Sequence, residues 1–208
     1  MNIIKNIIFD LGDVIINIDV PQTAEAFAAL LQRPTEEIAE LIKEHQFFKR
    51  FETGELDEIE FREQVRRVLR RPDWTDATIE EAWNALLLDI PSQRVAKIQE
   101  LHQKGYRLFL LSNTNPIHVA ATHQILKRAT GVEKLDDLFE KLYLSYEMGV
   151  MKPDPTIYQK LLTDAGIEAA ETLFLDDNAD NIREAAALGI QTIHVQKPTS
   201  LVEYLKDF

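Results

Sequence analysis

Five short apolar runs in this chain each end on a polar or acidic residue, and that pattern limits the possible folds more than any other feature. The first reads Ile-Ile-Phe-Asp-Leu-Gly-Asp-Val-Ile, with Asp10 leaving it. Short runs rich in β-branched and aromatic residues read as strands buried on both faces, as parallel sheets require. The runs lie at 3–9, 107–111, 141–144, 172–175 and 192–195, with helical patterns between them. Ser92 is expected to cap a helix ending before Gly105, and the helices at 155–165 and 179–188 are each closed by a glycine, Gly166 and Gly189. Strands alternating with helices of this length predict an α/β chain with a doubly wound parallel sheet. Such sheets bind ligands beyond the C-terminal ends of their strands, where Asp10, Ser112, Asp176 and Asp177 stand.

The alternation stops between the first and second runs. There Thr35 with Ile38, Leu41 and Ile42, then Asp57 with Phe61, Val65 and Val68, then Thr75 with Ile79, Trp83 and Leu86 show helical spacing behind a capping residue. The reading is a core of residues 1–18 plus 90–208 with a small helical domain, 19–89, inserted between two short crossings. Trp74, Trp83, Phe47, Phe48 and Phe51 are expected to pack that insert. Part of the stretch 46–54, which mixes apolar area with charge, is a candidate to face a substrate where the insert meets the sheet.

A chain of 208 residues can bury a sizeable core without staples, and it has no cysteine for a disulfide, a thiolate metal site or a Cys nucleophile. No leader and no bilayer-length apolar stretch is read, so no membrane association and a cytoplasmic location are expected. The net charge of −12 argues against a nucleic-acid partner, because phosphate backbones need a basic surface. It leaves room for a small anionic substrate, since one metal ion and one lysine can reverse a local potential. The five histidines, among them His118 and His123, lack ligand spacing and read as structural or surface residues.

Four local signals carry chemistry. Asp10 leaves a strand into a glycine-containing turn, which suits a nucleophile or metal ligand as well as a plain turn residue. Leu-Leu-Ser-Asn-Thr offers the Ser112 hydroxyl to a phosphate oxygen, or as the cap of the helix that follows. Lys152 lies in Met-Gly-Val-Met-Lys-Pro-Asp-Pro, where Gly149 and two prolines fix the loop, so the lysine is held where it can neutralise an oxyanion. Asp176 and Asp177 are adjacent at a strand end, a repulsion relieved if a cation sits between them and Asp10, although Asp177 or Asn178 could equally cap a helix.

The stretches Phe-Asp-Leu-Gly-Asp-Val-Ile, Leu-Ser-Asn-Thr-Asn, Gly-Val-Met-Lys-Pro-Asp and Phe-Leu-Asp-Asp-Asn-Ala-Asp-Asn-Ile, in this order, resemble the haloacid dehalogenase (HAD) superfamily of phosphohydrolases. They look most like its α-D-glucose-1-phosphate phosphatase-like branch. The resemblance implies a Rossmann-like sheet with an inserted helical cap and a magnesium-dependent phosphatase of small phosphorylated metabolites, with sugar phosphates such as an aldose 1-phosphate as the expected substrates. By the same resemblance Asp10 is the nucleophile that forms an aspartyl-phosphate, Ser112 holds the phosphoryl group and Asn113 shapes its site. Lys152 neutralises the phosphate and orients the nucleophile. Asp177 binds Mg2+ with Asp10, the Gly12 carbonyl and neighbouring Asp176, and Asn181 follows a turn later. A monomer or small homo-oligomer is expected.

One position departs from that family. Most of its phosphatases carry an acid two residues after the nucleophile, where this chain has Gly12, and the carboxylate stands one place on at Asp13. A one-residue step along an extended segment turns a side chain to the opposite face, so Asp13 is a candidate acid but not an automatic one. Without an acid, worth a factor of about 10²–10⁴, easily departing groups such as anomeric alcohols are favoured. Two rivals stand beside this reading: a metal-independent dehalogenase, against which the Asp176–Asp177 pair counts, and a catalytically weak module that binds a phosphorylated ligand.

Overall fold

The computed structural model describes residues 3–208, with the side chain of Phe47 outside the described ones. Strand β1 (Asn6–Phe9) is followed by five helices, α1 (Pro21–Leu31), α2 (Thr35–His45), α3 (Phe47–Glu52), α4 (Glu58–Val68) and α5 (Asp76–Trp83). The alternating part then runs α6 (Ser92–Gln103), β2 (Arg107–Ser112), α7 (Pro116–Thr130), β3 (Lys141–Leu144), α8 (Ser145–Met148), α9 (Pro155–Ala165), β4 (Thr172–Asp176), α10 (Ala179–Ala187), β5 (Gln191–His194) and α11 (Leu201–Tyr204). The five strands form one parallel sheet in the order β3-β2-β1-β4-β5.

The sheet is apolar on both faces. Ile7 and Phe9 pack with Leu108, Leu110, Leu173 and Leu175 on one side, while Ile8 packs with Phe109, Leu111 and Phe174 on the other. That is the two-residue alternation of strands in a two-sided sheet. β1 is central, and the chain builds β2 and β3 to one side before returning to lay β4 and β5 on the other. The reversal opens a crevice between the C-terminal ends of β1 and β4. Phe9 pairs with Leu175, so Asp10 and Asp176 leave the sheet side by side.

Helices α1–α5 enclose a separate apolar cluster that includes Phe27, Phe51, Phe61, Val65, Ile79 and Trp83. Its rings stack closely: Phe51 and Phe61 lie 4.2 Å apart and Phe48 and Trp83 4.4 Å apart, between centroids. Two local bonds tie the ends of the helical segment to each other, an Ile18–Leu87 bridge and the Asn17 side-chain amide donating to Asp89 at 2.9 Å. Among the described residues no helix is long and apolar enough to cross a membrane.

Several expected details differ. β1 begins at Asn6 rather than residue 3, because Ile3 is exposed and unpaired with the sheet. β5 starts one residue early at Gln191, and β4 runs on through Asp176. Ser92 and Thr35 are first helical residues behind Pro91 and Pro34, which make no side-chain cap; proline sets the backbone there without one. Asp57 and Thr75 do cap, Asp57 in a reciprocal box with Glu60.

Candidate active site

The centre of the site is Lys152. Its Nζ donates to Asp10 Oδ1 and to Asp176 Oδ2, each at 2.6 Å, and its side chain is almost wholly buried. Burial pulls the ammonium down, but the two carboxylates outweigh it and hold it firmly protonated. Asp10 is pushed up to about 7 by burial, with Lys152 pulling down and Asp176 adding to the rise. The Asp10 amide donates to the Leu175 carbonyl at 2.9 Å, so the carboxylate is fixed by the sheet ladder itself.

Asp176 is fully buried and fully engaged. Oδ1 accepts from the Asn178 amide at 2.8 Å and Oδ2 from Lys152, while the Asn181 side-chain amide reaches both oxygens at 3.0 and 3.1 Å. Asp177 is exposed, and its carboxyl is raised by partial burial and by Asp176 and Asp13. Asp10, Asp176 and Asp177 each offer an oxygen within 4.8 Å of the others. Asn178, not Asp177, caps α10, by accepting from the Asp180 and Asn181 amides. Asp177 is therefore free of helix duty.

Each residue of Ser112-Asn113-Thr114-Asn115 has its own task. The Ser112 hydroxyl makes only a 3.5 Å contact with the Asn113 carbonyl, leaving it available at the end of β2. Asn113 clamps the lysine loop: its amide nitrogen donates to the Lys152 carbonyl at 2.9 Å and its amide oxygen accepts from the Lys152 N–H at 2.8 Å. The Thr114 amide donates to Ser145 Oγ at 3.0 Å. Asn115 caps α7 by accepting from the His118 amide at 3.0 Å, so Ser112 is not the cap.

Asp13 takes no part in the hydrogen bonds of this group, although its charge reaches Asp177. The segment after β1 is not extended: Asp13 has φ of 54° and sits in a tight loop where its N–H donates to the Ile16 carbonyl at 2.7 Å. Its carboxylate accepts from the Ile18 amide at 3.1 Å and pairs with Lys197 at 2.7 Å. The one-residue flip expected from an extended chain therefore does not set its direction; the left-handed turn does. Among the described residues nothing donates a hydrogen bond to the Gly12 carbonyl.

A cavity of about 520 Å³ starts at Leu11, Gly12, Ser112 and Asn113 and extends beneath α1, α2 and α3. Its walls are mostly apolar, with Ile16, Ile18, Ile42, Phe48 and Leu87 among them. Glu52 and His118 also line it, and neither stands out in the sequence. His118 is buried, stacks on Trp83 at 4.6 Å and places Nδ1 2.8 Å from Asn84 Oδ1. Burial holds its pKa down at about 3, so it is neutral. Glu52 is half-buried, and burial alone pushes its carboxyl up to about 7. Within the stretch 46–54, then, Phe48 and Glu52 reach the cavity while Phe51 is wholly core.

A family model described as haloacid dehalogenase-like hydrolase matches residues 4–189. D-ribitol-5-phosphate phosphatase of Bacteroides thetaiotaomicron is 35% identical over 191 residues, 91% of this chain and 90% of that protein. A crystal structure of a HAD family enzyme from the same organism, in complex with magnesium and inorganic phosphate, superposes with a TM-score of 0.87 at 35% identity, covering 97% of this chain and 98% of that one. A HAD-like family hydrolase of Porphyromonas gingivalis gives a TM-score of 0.87 at 30% identity, over 99% and 97% of the two chains.

Proposed function

Because this chain belongs to the haloacid dehalogenase-like hydrolases, we propose that it is a phosphatase of small phosphate monoesters working through an aspartyl-phosphate on Asp10. The observation that carries this reading is Lys152 held between Asp10 and Asp176 in the crevice beyond β1 and β4. A buried lysine in that position favours the ionised form of Asp10 against the effect of burial and presents positive charge to the incoming phosphoryl oxygens. Ser112 donates its free hydroxyl to another of those oxygens. Asp176 anchors the lysine, and Asn113 anchors the loop that carries it.

Three carboxylates face one ammonium here, and hard oxygen donors crowded together with unbalanced negative charge suit Mg2+. Asp10, Asp177 and the Gly12 carbonyl would hold it, with Asp176 behind them. Bound there, it supplies neutralisation of the charge on the phosphoryl group. This surplus of carboxylate is also what weighs against a metal-independent dehalogenase. The organic part of the substrate is, on our reading, a sugar or sugar alcohol, aldose 1-phosphates included, supported by the phosphatase relative at 35% identity. Helices α1–α5, within residues 19–89, act as the cap over it.

Phosphate release from sugar, nucleotide and aryl phosphates, with and without Mg2+, tests the reading. Metal-dependent release concentrated on sugar or polyol phosphates is expected. Asp10→Asn keeps the shape but removes the nucleophile, and turnover within about tenfold of the parent would exclude Asp10 from that role. Failure of every phosphate ester would leave the ligand-binding module.

A further inference from the structure

In-line displacement puts the leaving oxygen on the side of phosphorus opposite the Asp10 carboxylate. The cavity that opens next to Asp10, lined by Leu11, Gly12, Ser112 and Asn113 on the sheet side and by Phe48 and Glu52 of α3, is the space we take for that side. Whatever protonates the leaving oxygen must line this space. Among the described residues only two titratable side chains do, Glu52 and His118. His118 is held neutral by burial, and its Nδ1 is committed to Asn84. The Asp13 carboxylate is committed to the Ile18 amide and to Lys197.

Glu52 has neither commitment. Among the described residues its carboxyl makes no hydrogen bond or ion pair, and burial is the sole cause of its raised pKa. Its backbone, by contrast, is fixed against the sheet. Its carbonyl accepts from Ser145 Oγ at 2.6 Å, at the start of α8 just past β3. Two residues on, Gly54 has φ of 72°, and a Cβ there would lie 2.1 Å from the Tyr146 carbonyl oxygen. Ser145 also receives the Thr114 amide, next to the Asn113 that clamps Lys152. The chain thus holds an unpaired carboxyl in the cavity that Gly12, Ser112 and Asn113 also line, on a backbone tied to the loop that carries Asn113.

We propose that Glu52, a residue of the helical segment, is the general acid–base that the Gly12 position lacks. The inference rests on the phosphatase reading. As the bond from Asp10 Oδ to phosphorus forms and the ester P–O bond breaks, the Glu52 proton passes to the departing oxygen, which leaves as the neutral alcohol. Glu52 is left as carboxylate. It then takes a proton from the water that attacks the aspartyl-phosphate, so that phosphate leaves, Asp10 is regenerated as carboxylate and Glu52 regains its proton. A donor on the helical side removes the restriction to acidic leaving groups that Gly12 would impose, and opens simple primary alcohols to the enzyme.

The test is a series of substituted phenyl phosphates, alike in shape and without hydroxyls for Glu52 to bind, assayed for kcat/KM with saturating Mg2+ in the parent and in Glu52→Gln. Phenols of low acidity should lose a factor of about 10²–10⁴ while nitrophenyl phosphate is nearly unaffected, so the dependence on leaving-group acidity steepens. Glu55→Gln, which alters only exposed contacts with Arg50 and Thr53, should keep the parent slope. A uniform loss across the series, or no loss, overturns the assignment. Unchanged affinity of Glu52→Gln for inorganic phosphate shows that the site is intact. If that variant fails to fold, Glu52→Asp, which withdraws the carboxyl by one methylene, is read by the same slope. A parent without activity on any member sinks the phosphatase reading instead.

Discussion

Glu52 makes a prediction about stability that needs no substrate. Its carboxyl titrates near 7 in the folded chain against an ordinary value of 4.5, with burial as the cause. A raised folded value means the native state holds its proton more tightly than the unfolded state does. The protonated form is therefore harmless below about 4.5, and stability is lost as pH rises from there through 7. The gap corresponds to about 3 kcal/mol, and because water reaches the cavity this is an upper bound. In Glu52→Gln the side chain stays neutral, so the variant should gain on the parent as pH rises, by up to about 3 kcal/mol at pH 8–9. For a chain of this size that is roughly 6–12 °C in Tm. Any fixed cost of the amide is the same at every pH and drops out of the comparison. Urea melts of both proteins at pH 5, 7 and 9 measure it. Stability differences that stay constant within about 0.5 kcal/mol across the three would refute the argument, because the carboxylate would then be fully solvated in the folded state.

The remaining expectations concern positions around the site. Asp177→Asn should raise the Mg2+ concentration for half-maximal rate by at least about tenfold, and an unchanged titration removes Asp177 from the metal site. Asn113→Ala deletes both bonds to the Lys152 backbone and should cost about 2 kcal/mol in a urea melt together with weaker inorganic phosphate binding; retained phosphate affinity would show that the loop holds itself. Gly54→Ala meets both a left-handed backbone and the Tyr146 carbonyl, so a destabilisation of at least about 2 kcal/mol is expected, and a melt within 0.5 kcal/mol of the parent would contradict it.

What the sequence reveals follows from how much of each feature is local. The central strands are legible because β1, β2 and β4 are apolar on both faces, leaving no alternation to misread. β5 is only half-buried along its length, and its start slips by one residue accordingly. Asp10, Ser112, Lys152 and the Asp176–Asp177 pair are legible as a group since each ends a strand or sits in a proline-stiffened loop, and parallel strands end on one edge. Division of labour among them is not. That Asp176 holds Lys152 while Asp177 stays exposed depends on Asn178 and Asn181, and the Asn113 clamp joins residues 39 positions apart. Asp13 could not be aimed from its spacing, since a left-handed turn and a lysine near the other end of the chain decide where it points. Glu52 lacks any motif in the chain as read. Its distinction is to be enclosed without a partner, a property of the packed molecule.

The Ser145 hydroxyl bears on what it would cost the helical segment to move away from the sheet. It carries one proton and faces two carbonyls, Glu52 at 2.6 Å and Thr114 at 3.2 Å, while accepting the Thr114 amide in either case. If α3 withdraws, the proton swings to Thr114, and the Glu52 carbonyl passes to water. No buried donor on the sheet side is stranded by the exchange, so the step costs less than the roughly 1 kcal/mol of an ordinary lost hydrogen bond. On the proposal made above, such a contact would hold Glu52 in place while α3 is docked and, by passing to the sheet-side Thr114 carbonyl, would add little to the cost of releasing a product alcohol.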